Sequence, residues 1–253
     1  LALALEDAVV FVDGGIPARL ILDRSGDRER PILFRGPRFR VVEGIALEFT
    51  QLVASLSYLG PLRSGPERHY VVHGGTPTSV GKRGEYTPQM LFRRRRSLTS
   101  QVNNWFTRFD IPYKLTMKEL EDEVTGTIIV MSLKDNRTSV TVAPSDVGFG
   151  IGQLLPIVVE GLVAESRILC VEQPEIHLHP RLQAHFADFF IDTAGGDAGG
   201  ERRPKKANQW IVETHSEALI LRIQKHIRAG ELKAENVSVL YVEPGSQGST
   251  IRQ

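Results

Sequence analysis

Apolar residues fall into short runs in the first part of this chain and longer periodic ones further on. From Ala8 to Phe49 the runs VVFV, ARLILD, PILF and RVVEGIALEF are separated by Gly, Pro, Asp and Arg. Runs of that length bounded by turn formers predict strands and hairpins, the last grading into a helix through Leu56. Residues 60–88 are crowded with Gly, Pro, Ser and Thr and predict a long loop. A loop of that length in a compact domain needs a reason, and function is one of the usual two. From Met90 to Phe109 a helix is predicted, with Val102, Trp105, Phe106 and Phe109 on its apolar face. KLTMKEL, GTIIVMSLKD and TSVTVAP then predict a strand-rich extension.

At Ser145 the texture changes. SDVGFGIGQLLPIVVEGLVAE reads as a glycine-rich loop feeding a helix despite Pro156, and RILCV follows as an apolar run without alternation. Such a run predicts a central parallel strand, here with acids at its carboxyl end. Residues 181–191 predict a helix and 193–208 a surface excursion. QWIVET predicts a second core strand, SEALILRIQKHIRAG a helix ending at Gly230, and NVSVLYVE a third strand before the turn PGSQGS. Strand and helix alternating in this way argue for an α/β fold.

A length of 253 residues suits one large α/β unit or a core with a modest insertion. With 41% hydrophobic and 24% charged residues, the composition excludes collagen-like, mucin-like and wholly disordered chains. The formal net charge of +1 gives no global field that would compel a nucleic-acid or membrane partner. No apolar run reaches the roughly 18 residues of a membrane span. The opening LALALEDAVVFVDGG has no basic region before its apolar stretch and is broken by Glu6 and Asp7, so it is no signal peptide. A single cysteine, Cys170, excludes both an intramolecular disulfide framework and a cysteine zinc cluster. It reads as buried packing, and the cytosol is the expected compartment. The start at Leu1 and the stop at STIRQ suggest ends that were cut or left undefined.

Three segments carry candidate chemistry. In the first, Ser145 to Gln153, Gly148, Gly150 and Gly152 permit close backbone approach to phosphate oxygens, and a helix amino end faces the anion. The second is RILCV followed by Glu172-Gln173-Pro174-Glu175, where a carboxylate at a strand end can hold magnesium directly or through water. The third is QWIVE followed by Thr214-His215-Ser216-Glu217, which sets a histidine at a neighbouring strand end, within reach of a γ-phosphate. His177 and His179 complete an E-x-x-E-x-H-x-H array with Glu172 and Glu175 that also admits a metal-site reading.

In these segments the chain resembles the ATP-binding-cassette ATPases, specifically the RecF-like and overcoming-lysogenization-defect-like branch of AAA-type ATPases of DNA repair and phage defence. The resemblance runs from about Tyr58 to the end and is strongest from Ser145 to Glu217. It implies a P-loop NTPase-like core with parallel central strands and a mixed β-rich and helical extension. SDVGFGIGQ resembles the signature loop that completes a partner subunit's ATP site, so Ser145, Gly148, Gly150, Gly152 and Gln153 would meet the partner's nucleotide. RILCVEQPEIHLHP resembles the Walker B strand and D-loop, which accounts for His177 and His179 as structural or dimer-contact residues without metal. ETHSE resembles the switch-histidine loop, and YLGPLRSGPERHY is a stretch typical of this branch. The resemblance implies ATP and Mg2+ as cofactors, with Glu172 as the magnesium-associated acid and His215 as the γ-phosphate switch.

It also implies a division into residues 1–57, a β-rich part of the ATPase lobe; 58–144, a loop-rich helical and β insertion; and 145–253, the signature, Walker B, D-loop and histidine core. Gln173 stands where many such ATPases carry the glutamate that polarises water. A glutamine orients water but takes no proton, so turnover would be slow or rest on Glu175 or His215. Gly150 replaces the usual signature serine. The phosphate-loop pattern G-x-x-x-x-G-K-[S/T] is absent, and Gly81-Lys82 is followed by Arg83 rather than Ser or Thr. The expectation is therefore an N-terminally incomplete chain that is inactive as it stands.

The function this implies is ATP-driven head-to-tail homodimerisation coupled to nucleic acid or an effector protein in repair or defence, without a membrane partner. The alternative is a noncatalytic nucleotide sensor or scaffold. Arg63, Arg68 and Arg93 to Arg96 form one candidate basic strip for nucleic-acid phosphates, and Arg202, Arg203, Lys205 and Lys206 a second; each also reads as a solvated face.

Overall fold

In the computed structural model, which describes residues 8–13, 16–22, 47, 49, 53, 55–72, 75–122, 126–194, 208–245 and 248–253, the first two apolar runs pair as expected. β1 (Ala8–Asp13) and β2 (Ile16–Leu22) form an antiparallel hairpin with a register shift between Phe11 and Val12. They lie in a first unit, Leu1–Leu56, and Ser57–Gln253 forms a second. Leu47, Phe49 and Val53 are helical. PILF, most of RVVEGIALEF and the basic cluster of Arg202, Arg203, Lys205 and Lys206 lie outside the described residues.

The second unit holds the predicted α/β core. β8 (Ile168–Glu172) runs parallel to β9 (Gln209–Glu213), in register from Ile168 opposite Gln209 to Glu172 opposite Glu213. β3 (Leu56–Leu59) completes a three-stranded sheet of order β3-β8-β9, so β8 is central as predicted. The extension is antiparallel. β5 (Tyr113–Asp122) and β6 (Gly126–Asp135) pair along their whole length, and β4 (Tyr70–Val71) and β7 (Thr141–Val142) add to β6.

The helices pack into one continuous core. After α1 (Thr87–Arg93), α2 (Arg95–Arg108) buries Leu98, Val102, Trp105 and Phe106, the recurrence of a single helical face. Its Asn103 fixes the approach of β5, taking a 2.7 Å hydrogen bond from the Leu115 N–H and donating one of 2.9 Å to the Leu115 carbonyl. α3 (Phe149–Val163) runs through Pro156, and its Leu154, Leu155, Ile157, Val158 and Val159 are buried. That apolar burial outweighs the backbone bond that proline removes. α4 (Pro180–Ala194) contributes Phe186, Phe189 and Phe190. It meets α3 closely: a Cβ on Gly161 would lie 2.6 Å from Phe189 Cζ and 2.9 Å from Trp210 Cζ2.

Two expectations need correction. NVSVLYVE adds no strand to the core sheet. Residues 237–240 lie outside strands, and β10 (Tyr241–Gly245) folds back on β11 (Gly248–Arg252) as a separate antiparallel hairpin. Period-two alternation marks a strand but does not choose its partner, and here the nearby turn supplies one. Cys170, expected to be buried, is half-buried with its thiol pushed up by desolvation. Alternation sends Leu169 and Val171 into the core and leaves Ile168, Cys170 and Glu172 on the more open face. Among the described residues no helix is long and apolar enough to cross a membrane.

α5 (Glu217–Arg228) is tied to α4 through Asp188. Arg222 reaches Asp188 by hydrogen bonds of 2.8 and 3.0 Å, His226 Nε2 by 2.5 Å and His185 Nδ1 by 3.2 Å, while His226 Nδ1 lies 2.6 Å from Glu231. Burial pushes the Asp188 carboxyl up, but the bonds from Arg222, His226 and His185 outweigh it and hold the group below the usual carboxylate range. A carboxyl lowered in the folded state adds stability above its unfolded pKa, about 4, and loses it as the pH falls through the folded value. Asp188→Asn is expected to cost about 2 kcal/mol at neutral pH. Its melting temperature should fall less than that of the wild type between pH 5 and 3, as measured by circular dichroism.

Candidate functional site

The register of β8 and β9 sets two acids side by side, because parallel strands ending at the same level present their last residues as neighbours. Glu172 is half-buried and Glu213 exposed. Past Glu172 the chain turns sharply. Gln173 has φ +43° and His177 φ +60°, left-handed values that side chains rarely adopt. The Gln173 N–H donates to the Glu213 carbonyl at 2.8 Å, so the turn is locked across the strand pair. Gln173 Nε2 also lies 3.5 Å from Glu213 Oε1.

Glu175 caps the histidine loop. Its Oε2 accepts from Thr214 Oγ1 at 2.7 Å and its Oε1 from the His215 N–H at 2.6 Å. Both Glu175 oxygens are thus engaged in holding the loop. The loop continues into α5 through Ser216, whose hydroxyl accepts from the Leu219 N–H at 3.2 Å and donates to Gln183 Oε1 at 2.8 Å. His215 is thereby projected outward on a held backbone. Its side chain is 79% exposed, with Nε2 4.0 Å from Glu213 Oε1. His179 caps the start of α4, its Nδ1 accepting from the Arg181 N–H at 3.2 Å.

A long-range partner completes the strand end. Tyr58, on the neighbouring strand β3, donates its phenol to Glu172 Oε1 at 2.8 Å. That hydrogen bond, with burial and the charges of Glu172 and Glu213, raises the Tyr58 pKa. Arg63 is 4% exposed and donates from NH2 to the Glu172 carbonyl at 2.6 Å and from NH1 to the Gln173 carbonyl at 3.5 Å. Burial draws its guanidinium down to about 10, against the pull of Glu175, so it stays charged at neutral pH.

The glycine-rich segment splits into outward and inward residues. Ser145 and Gly148 are exposed, and space beside Gly148 is open. Gly150 is half-buried, and a Cβ there would lie 3.2 Å from the His177 carbonyl oxygen. A cavity of about 250 Å³ opens between the start of α3 and the turn, lined by Gly148, Gly150, Ile151, His177, Leu178 and Leu182 among others. Gly152 and Gln153 face inward, contrary to the expectation that they meet a partner's nucleotide. A Cβ on Gly152 would lie 2.7 Å from Pro66 Cδ. Gln153, 4% exposed, exchanges two 3.4 Å hydrogen bonds with the Arg63 backbone. The helical period explains this: a loop feeding a buried helix shows its first residues to solvent and turns the next ones inward.

The basic strip is dispersed. Arg63 is withdrawn from any nucleic-acid surface by its burial. Arg68 pairs with Asp146 at 2.8 Å, Arg93 bonds to Thr76 and the Gly75 carbonyl, and Arg95 lies over Phe92 and pairs with Glu119 at 3.0 Å. Arg94 and Arg96 are exposed.

Among the described residues, no group of three or more His, Cys, Asp or Glu residues could hold a metal ion. The donors at the strand end are hard carboxylates on Glu172 and Glu213. They suit a magnesium ion that takes its remaining oxygens from phosphate and water. Sequence reasoning missed Glu213, although it closes the strand QWIVE just before His215. It gave Tyr58 no role and placed Arg63 in a basic strip for nucleic-acid phosphates. Glu175→Gln should leave the strands intact and loosen the loop, costing about 1–2 kcal/mol and speeding amide hydrogen exchange at residues 214–216.

A family model described as AAA ATPase domain matches residues 90–220, just over half of the chain. That span includes the glycine-rich segment, both acids and the histidine loop, and leaves Tyr58 and Arg63 outside. Three solved structures show similarity. One comes from work on ATP-driven dimerization and DNA-stimulated activation of SMC ATPases, with 12% identity, 65% of this chain and 88% of that chain covered, and a TM-score of 0.45. A second is an SmcHead bound to the C-winged helix domain of ScpA, with 10% identity, 67% and 45% covered, and a TM-score of 0.45. The third is a Pyrococcus furiosus Smc head domain with an extended coiled coil bound to the C-terminal domain of ScpA, with 10% identity, 85% and 41% covered, and a TM-score of 0.43. The chain spans less than half the length of the latter two. No curated protein matches.

Proposed function

Because the chain belongs to the AAA ATPase domain family, we propose that its strand-end cluster binds ATP with Mg2+. The observation that carries this reading is the register of Glu172 with Glu213 on adjacent parallel strands, with His215 held just beyond. Glu172 and Glu213 would hold the cation, and His215 would reach the γ-phosphate. The ion, when bound, would neutralise phosphate charge. The protein's own contribution is to hold the acid, the amide and the imidazole on locked backbone. Ser145, Gly148 and Gly150, on or near the surface at the start of α3, would face the nucleotide of a second copy, giving a head-to-tail homodimer with composite sites. The resemblance to the RecF-like branch supports a setting in DNA repair or phage defence, with an effector protein as a further partner. Nucleic-acid contact would fall to Arg68 and Arg93 to Arg96, all of them exposed, with Arg68, Arg93 and Arg95 exchanging weak surface contacts for phosphate.

A second reading, a noncatalytic nucleotide sensor, is favoured by one observation. Gln173 occupies the turn beside the acid, and its carboxamide cannot accept a proton. Calorimetry and light scattering on the full chain separate the two. Mg-ATP is expected to bind and to double the molar mass, and Glu172→Gln should abolish both. Gln173→Glu is expected to raise about 100-fold whatever turnover persists without the phosphate-loop pattern. Binding and dimerisation without turnover in either form would favour the sensor, and no nucleotide binding at all would overturn both readings.

A further inference from the structure

We infer that the segment Tyr58–Arg63 is a strap that positions Glu172 for a divalent cation, with Tyr58 fixing the carboxylate and Arg63 the peptide that carries it. The inference rests on the reading of Glu172 as the magnesium-associated acid. It assigns two positioning residues outside the span that the family model matches.

One residue is gripped at both its ends by one short segment. The Tyr58 phenol donates 2.8 Å to Glu172 Oε1, and Arg63 NH2 donates 2.6 Å to the Glu172 carbonyl oxygen. The first bond engages one carboxylate oxygen and stops the group from swinging, while the second oxygen has no protein partner among the described residues. Hydrogen-bonded neighbours of this kind orient metal ligands and set their affinity. The second bond steadies the main chain where it enters the left-handed turn, with Gln173 at φ +43°.

The strap is itself held. The Gly60 N–H donates to the Lys82 carbonyl at 2.9 Å and the Ser64 N–H to the Arg83 carbonyl at 2.7 Å. Gln153 clasps the Arg63 backbone from α3 through two 3.4 Å bonds. A buried guanidinium carries a large desolvation cost, and Arg63 Nε is buried without a partner among the described residues. The two carbonyls at the acid's turn are therefore what the Arg63 guanidinium serves.

Mn2+ binding to the full chain in the presence of ATP, followed by the electron paramagnetic resonance signal of the free ion, tests the strap. Tyr58→Phe, Arg63→Lys and Glu172→Gln are compared with the wild type, with metal-free ATP affinity and melting temperature measured alongside. Tyr58→Phe is expected to weaken Mn2+ binding about tenfold while metal-free ATP affinity stays unchanged. Arg63→Lys keeps the charge but not the two-carbonyl fork and should also weaken it. If Arg63→Lys fails to fold, the partly exposed Tyr58 position carries the test. Wild-type Mn2+ affinity in Tyr58→Phe, with loss in Glu172→Gln, overturns the strap and leaves the acid's role standing. Parallel loss of metal-bound and metal-free affinity in Tyr58→Phe marks a general structural role and also overturns it. Unchanged affinity in Glu172→Gln, or no Mn2+ binding by the wild type, overturns the acid's role and the strap with it.

Discussion

The parallel pairing of β8 with β9 is the constraint from which the rest of the site follows. Because Glu172 lies opposite Glu213, everything beyond the sheet begins at one level. The turn that starts at Gln173 and the loop that carries His215 then emerge side by side. They are close enough for Glu175 to take hydrogen bonds from both Thr214 and the His215 amide. A slip of one residue would turn every side chain of one strand to the opposite face and separate these groups. The apolar packing behind the sheet, where Phe189, Phe190 and Trp210 meet within 4.7 to 6.1 Å between ring centroids, opposes such a slip.

The site combines strict backbone control with exposed working groups. Glu213 and His215 are open to solvent, yet the main chain beneath them is bonded at nearly every step. This division suits a site that must admit a large charged ligand without reorganising for it. Preorganised polar groups act without a cost of reorientation when the ligand arrives.

Much of this was legible in the sequence because strand ends carry local signals. RILCV before Glu172 and QWIV before Glu213 mark two parallel strands, the first with Leu169 and Val171 buried and the second at the end of the described sheet with Ile211 exposed, and the residues just past each are the candidate chemistry. The helical face of α2 was equally plain from Val102, Trp105 and Phe106. The Tyr58 to Glu172 bond was not, since it joins positions 114 residues apart and neither neighbourhood names the other. Arg63 looked like a surface cation, because composition cannot tell a solvated arginine from one folded under a strand end. Gly152 and Gln153 were assigned to the surface because a glycine-rich motif shows which residues are small and not where the helix after it turns.

The two left-handed residues that bracket the turn, Gln173 and His177, have a consequence for how this region can vary. Within and just past them the Ile176 N–H bonds back to the Gln173 carbonyl at 3.3 Å and the Leu178 N–H to the Glu175 carbonyl at 3.0 Å, so the path from strand to helix is a compact spacer of set length. Positions such as Ile176, whose apolar side chain makes no hydrogen bond, can vary, while the length cannot. An inserted or deleted residue would rotate α4 relative to the sheet and move Gln183 away from Ser216, so divergence here should proceed by substitution and leave the interval between Glu172 and Pro180 unchanged.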